Sequence, residues 1–120
     1  MQINGKDVDL TAPQSVADCY DVLNAISGNA IRGQAAALGI CARGPGRPGV
    51  RIKDKSVAGW LQYGGAIVDY YQGAGVPLSD WIDAAQAAVD LVAHAIAGTT
   101  ADEVTEAEGN SRESAEASTG

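Results

Sequence analysis

The chain has 120 residues, a formal net charge of -7 and 46% apolar residues, and it contains no phenylalanine. That length makes one small domain, and 22 alanines and 15 glycines set against 24 leucines, isoleucines and valines leave mostly small side chains for its core. A large multilayer enzyme with a deep preformed pocket is excluded, wholesale disorder is disfavoured by the apolar fraction, and the acidic balance disfavours whole-surface nucleic-acid binding.

The first ten residues predict a short strand or hairpin. Asn4-Gly5 is a two-residue turn signal, with Ile3 before it and Val8 and Leu10 alternating after it. A first helix is expected from the capping-box spacing Thr11-Ala12-Pro13-Gln14. Val16, Cys19, Tyr20, Leu23 and Ile26 form its apolar stripe, and Gly28 is expected to end it as a left-handed cap. Asn29 is positioned to cap a second helix, from about Ala30 to Ala42, with Ile31, Ala35, Leu38 and Cys41 as its stripe. Gly33 and Gly39 each weaken that helix by about 1 kcal/mol relative to alanine, and each permits close approach of another backbone.

Arg43-Gly44-Pro45-Gly46-Arg47-Pro48-Gly49 reads as a loop, and Val50 to Lys53 as a brief extended piece able to pair with the N-terminal strand. A third helix is expected from about Ser56 to Gln72, with Val57, Trp60, Leu61, Ile67, Val68 and Tyr71 on one side. Gly64-Gly65 in its middle favours close packing over a kink, because polar turn residues are absent around it. After the break Gly73-Ala74-Gly75-Val76-Pro77, Ser79 is the expected cap of a fourth helix that Gly98 closes. Residues 99–120 are rich in Thr, Ser, Glu and Ala, with Val104 the only larger apolar residue, so a disordered acidic tail is expected. The fold class is therefore mainly α: a helical domain over residues 1–98, three to four helices with a short N-terminal β element, followed by that tail.

Chemistry-bearing constellations are sparse. Cys19 and Cys41 are 22 residues apart and form no Cys-x-x-Cys pair, so buried thiols in a reduced setting are the expectation. The N-terminus shows no signal-peptide pattern, and the stretch Ala84 to Ala97 is too short and too polar to span a bilayer. His94 is the only histidine. Asp90 lies one turn before it, but no other motif supports a catalytic or zinc site. Gly44-x-Gly46-x-x-Gly49 matches a dinucleotide fingerprint by letter, yet it follows a helix and contains prolines. No cofactor, metal or catalytic residue is assigned.

Charge and aromatics supply the binding candidates. Arg43, Arg47, Arg51, Lys53 and Lys55, offset by Asp54, give a local charge of +4, while residues 101–120 carry six acids against Arg112. A solvated loop, an acidic protein partner and nucleic acid are the alternatives for the basic segment. Nucleic acid is the weakest of them, because no aromatic is interleaved there. The chain's own acidic tail is a further visitor. Core is the default reading for the aromatics, with Trp60 and Tyr71 near the third-helix stripe; the alternative for Tyr63 and Tyr70 is a second face with Trp81, as aromatics form at interfaces.

One resemblance adds to this reading. The Thr-x-Pro helix start at Thr11-Ala12-Pro13, Arg32, the run Ala35 to Cys41, the run Tyr63 to Asp69 and Gly75-Val76-Pro77 follow one another in an order that resembles small tail-assembly proteins of tailed bacteriophages, over residues 1–97. The resemblance implies a non-enzymatic, chaperone-like factor that binds other tail proteins, notably the tape-measure protein, in the host cytoplasm. A homo-oligomer is compatible with it, and no membrane or nucleic-acid partner is implied. The alternatives are a structural virion component, such as a connector or minor tail protein, and a helical interaction module unrelated to phage. Tyr63, Tyr70, Trp81, Arg43, Arg47 and Arg51 are the partner-binding candidates.

Overall fold

The computed structural model describes the backbone of residues 1–108 and the side chains of residues 1–98. At the N-terminus, Asn4 and Gly5 take φ of 54° and 76° and close an antiparallel hairpin between β1 (Gln2–Ile3) and β2 (Lys6–Asp7). An Asn-Gly turn selects this left-handed pair because its twist matches that of the flanking strands. Ile3 and Val8 are buried and anchor the hairpin to the helices. β3 (Asp9–Leu10) pairs antiparallel with β4 (Ala42–Arg43), not with Val50 to Lys53 as the sequence suggested. The Thr11 N–H donates to the Cys41 carbonyl at 3.0 Å, so the end of the second helix already lies beside β3 and takes the partner position.

That contact also removes Thr11 from the expected capping role. α1 (Val16–Gly28) is capped by Ser15, whose side chain accepts from the Asp18 N–H at 3.2 Å. Gly28 stays in the helical region and is not a left-handed cap. A single extended residue, Asn29, separates α1 from α2 (Ala30–Cys41). Its N–H donates to the Ala25 carbonyl at 2.9 Å and its Oδ1 accepts from the Arg32 N–H at 3.0 Å. One asparagine thus satisfies orphan groups of two helices at once.

α2 is the central helix and packs on α1, on α3 (Val57–Gly73) and on α4 (Leu78–Glu108). Ala35, Ala36, Ala37, Leu38 and Cys41 are all buried, a consequence of being enclosed from three directions. Ile31, expected on the stripe, is 40% exposed because it belongs to the first turn, at the rim of this enclosure. Val57 is exposed for the same reason in the first turn of α3. α3 is capped by Ser56, which accepts from the Gly59 N–H at 3.0 Å, and it runs through Gly64-Gly65 without a break. A Cβ on Gly64 would collide with the Arg32 carbonyl oxygen of α2. The glycine pair therefore serves close packing, as expected.

α4 begins at Leu78, so Ser79 lies in its first turn and is not its cap; the Asp80 N–H donates to the Pro77 carbonyl at 3.0 Å. It also continues through Gly98 to Glu108. Gly98 lacks the positive φ of a left-handed cap, and a mid-helix glycine costs only about 1 kcal/mol, which the Ala- and Glu-containing turns that follow can absorb. Gly98, which the sequence suggested as the stop, therefore does not close the helix; the remainder of the acidic tail, 109–120, lies outside the described residues.

Large side chains close the gaps around α2. The Trp60 Nε1–H donates to Asp21 Oδ2 at 3.2 Å, tying α3 to α1. Tyr71 stacks on Trp81 with ring centroids 5.5 Å apart, tying α3 to α4. The Cys41 thiol faces the Ala88 carbonyl at 3.8 Å, and both cysteines are buried and unpaired. Burial pushes the Cys41 thiol up to about 11 and also raises Cys19 and Tyr71.

Two predictions follow from this core. Gly64→Ala should lose about 1–3 kcal/mol in chemical denaturation by overpacking, whereas Gly98→Ala, where a Cβ meets nothing, should hold or gain up to about 1 kcal/mol. The Cys41 thiol ionises near 9.0 when unfolded and near 11 when folded. The unfolded chain therefore releases this proton first as pH rises. The associated stability is complete below pH 9 and is lost toward pH 11, by about 2 kcal/mol. Melting curves across that range should fall, and Cys41→Ala should flatten the fall.

Candidate functional site

Two surfaces carry what sequence and fold leave unexplained. The first is the basic segment. After β4 the chain crosses to α3, where the buried Tyr71 hydroxyl donates to the Gly46 carbonyl at 3.2 Å, and Gly49 lies against the Tyr70 ring. From there residues 49–54 run back along α3 toward its N-terminus, where the Asp54 carbonyl meets Gly59. The segment is pinned at both ends, and its cations stand on the outer side.

Their electrostatics are unequal. Lys55 pairs with Asp18 of α1 at 3.1 Å. Asp54 turns to Ser56, accepting from its hydroxyl at 2.6 Å and its N–H at 3.1 Å, and these bonds hold the Asp54 carboxyl below its usual range. Arg43 donates to the carbonyls of Ile40 and Ala42 at 3.3 and 2.8 Å. Among the described residues, no carboxylate pairs with Arg43, Arg47, Arg51 or Lys53. Two adjoining clefts open here. One, of about 420 Å³, is lined by Gly39, Arg43, Arg47 and Arg51; the other, of about 410 Å³, by Arg51, Lys53, Gln62 and Tyr63.

Tyr63 stands between them. It is 8% exposed, its hydroxyl approaches Gly39, and no hydrogen-bond partner for that hydroxyl exists among the described residues. Burial raises the phenol, and the Arg43 guanidinium pulls it the other way, which places these two groups within electrostatic reach. Three guanidinium groups around one cleft, and a phenol with Arg51 and Lys53 around the next, can hold carboxylates or other anions.

The second surface is an apolar groove of about 340 Å³, walled by Ile31, Val68, Val76, Pro77, Leu78 and Trp81. Just after the left-handed Gly75, the buried Val76 forms its floor and the exposed Pro77 part of its wall. Ile31 at 40% and Leu78 at 47% exposure form its rim.

The alternative of an aromatic face is not assembled, and the default core reading holds for Tyr63 and Trp81. Tyr63 is buried and makes an edge contact with Trp60 at 5.9 Å, Trp81 is 2% exposed, and the ring stacked on Trp81 is Tyr71. Tyr70 alone of the three remains open, at 44%. Trp81 and Tyr63 reach the surface only as walls of separate concavities. The alternative failed because the loop and the α3–α4 turn cover flanks of α3 that helical periodicity treats as free. Arg43, Arg47 and Arg51 do converge, as their sequence spacing suggested. Ile31 and Leu78 were missed as rim residues, although each sits in the first turn of its helix, where flanking packing runs out. His94 is exposed on α4. No helix among the described residues is long and apolar enough to cross a membrane, and no group of three potential metal ligands occurs among them.

Comparison with protein families, curated proteins and solved structures yields no match to this chain.

The cations are predicted to be functional rather than structural. Arg47→Ala and Arg51→Ala should each leave unfolding free energy within about 0.5 kcal/mol of the parent in urea titrations.

Proposed function

We propose that this protein is a non-enzymatic assembly factor that binds a helical segment of another protein in the groove between α2 and the α3–α4 turn. The observation that carries the reading is the groove itself, with Ile31 and Leu78 left open at its rim above a floor of Val76 and Trp81. A partner helix would place residues at i, i+3 or i+4 and i+7 against such a wall. The finer reading is a bacteriophage tail-assembly chaperone whose partner is the tape-measure protein. Supporting it, Val76, Pro77 and Val68, from two of the segments on which the phage resemblance rests, lie in this groove.

Co-expression with the other tail proteins of the encoding phage tests both levels. A retained partner is the expected result. Ile31→Asp and Leu78→Asp, each at an exposed position, should cut its capture by about tenfold or more without lowering the melting temperature appreciably. Capture of no tail protein would overturn the phage reading. Capture unaffected by both substitutions would overturn the groove.

A further inference from the structure

We infer that the basic clefts are a docking site for the acidic C-terminal arm of a second copy of this chain. The inference is independent of the groove. Arg43, Arg47, Arg51 and Lys53 lack carboxylate partners among the described residues, and the Tyr63 hydroxyl beside them makes no hydrogen bond to another described residue. In a chain of net charge -7, these four cations outnumber the one carboxylate of their clefts, Asp54, which is turned to Ser56, and form a surface that selects anions. The chain also supplies the complement: Asp102, Glu103, Glu106, Glu108, Glu113 and Glu116 against Arg112.

Within one molecule, the part of the arm that lies in α4 leads away from the clefts. Cys41, two residues before Arg43, touches α4 at Ala88. α4 continues to Glu108, so at about 1.5 Å per residue Asp102 lies about 20 Å, and Glu108 about 30 Å, farther along the helix axis. Ile96 still packs against the core, whereas a Cβ on Gly98 would meet nothing within 4 Å. Four of the six acids are thus carried away on a helix that would have to unwind to bring them back to their own clefts. A second copy needs no unwinding. Its arm can lie along the basic segment, carboxylates bridging the guanidinium groups and one accepting from the Tyr63 hydroxyl. The contact is self-complementary, so two copies can exchange arms in a closed dimer.

Sedimentation equilibrium on the full chain tests this. At about 10 mM salt, where charges act over about 30 Å, the apparent mass should approach twice the 12.2 kDa of one chain. It should return to one chain near 1 M salt. Arg47→Glu with Arg51→Glu should be monomeric at low salt, as should Glu103→Lys with Glu106→Lys. Mixing the two double variants restores both complementary contacts and should restore the dimer. Tyr63→Phe should weaken association by about 2- to 10-fold, the usual net value of one hydrogen bond, with an unchanged melting temperature. A wild-type monomer at low salt would overturn the inference, because any cleft–arm contact would then be intramolecular. A dimer that survives both charge reversals, or a mixture that stays monomeric, would overturn it equally. Leu78→Asp should leave self-association intact, which separates this result from the groove reading.

Discussion

The distance between α2 and α3 is the constraint on which the rest of the structure depends. At Gly64 the two backbones approach so closely that a single added methyl group would strike the Arg32 carbonyl. Gly33 makes a similar approach to the backbone of Ile26 on α1. Helices held this near leave little room for large residues between them, so α2 presents Ala35, Ala36 and Ala37, with Leu38 its one large fully buried side chain. Protein interiors tolerate few voids. The volume that α2 does not supply is therefore supplied from α3 and α4, by Trp60, Ile67, Tyr71 and Trp81. A core poor in large aliphatics is complete because a few aromatic rings wrap a thin central helix.

This arrangement determines what reaches the surface. Tyr71 is large enough to pass the edge of the core and donate to Gly46, and that bond fixes the start of the basic segment against α3. At the other end, Gly59 lets the Asp54 carbonyl lie directly on the helix. Pinned at both ends, the segment has its backbone inward and its long cationic side chains outward. The clefts beneath Arg43, Arg47 and Arg51 are the space left where an irregular chain crosses a cylindrical helix. The apolar groove has a related origin: α2 is shorter than the helices it supports, and beyond its first turn Ile31 and Leu78 have no neighbour to cover them.

Local signals in the sequence were legible wherever a short stretch determines its own conformation. Asn4-Gly5 specifies a turn, Asn29 and Ser56 specify helix starts, and the absence of turn residues around Gly64-Gly65 specifies an unbroken helix. The signals that misled were those with a competitor elsewhere in the chain. Thr11 is a sound cap in isolation, but its N–H is taken by Cys41, thirty residues away. Val50 and Ile52 have strand character, but β4 occupies β3 first. Gly98 looks like a stop, yet a glycine ends a helix only where the chain must turn, and nothing packed against it requires a turn. For the site, the cations could be read because they cluster in sequence. The groove could not, because its walls come from three elements brought together only by folding.

The same division explains why the interior says little about function. Alanine and glycine at the α2–α3 contact are demanded by distance alone, and any partner or activity would leave them unchanged. Recognition must then rest on residues that packing does not dictate. In this chain those are the rim positions Ile31 and Leu78, the open ring of Tyr70, and guanidinium groups without carboxylate partners among the described residues. An exposed leucine beside a groove gains from being covered, and a cation without a counter-charge gains from an anion. These two gains ask for different ligands, one apolar and helical, the other acidic. They occur on separate surfaces that share no lining residue, so filling one leaves the other free. A small helical body with two unlike surfaces can hold a client on one side while meeting its own kind on the other.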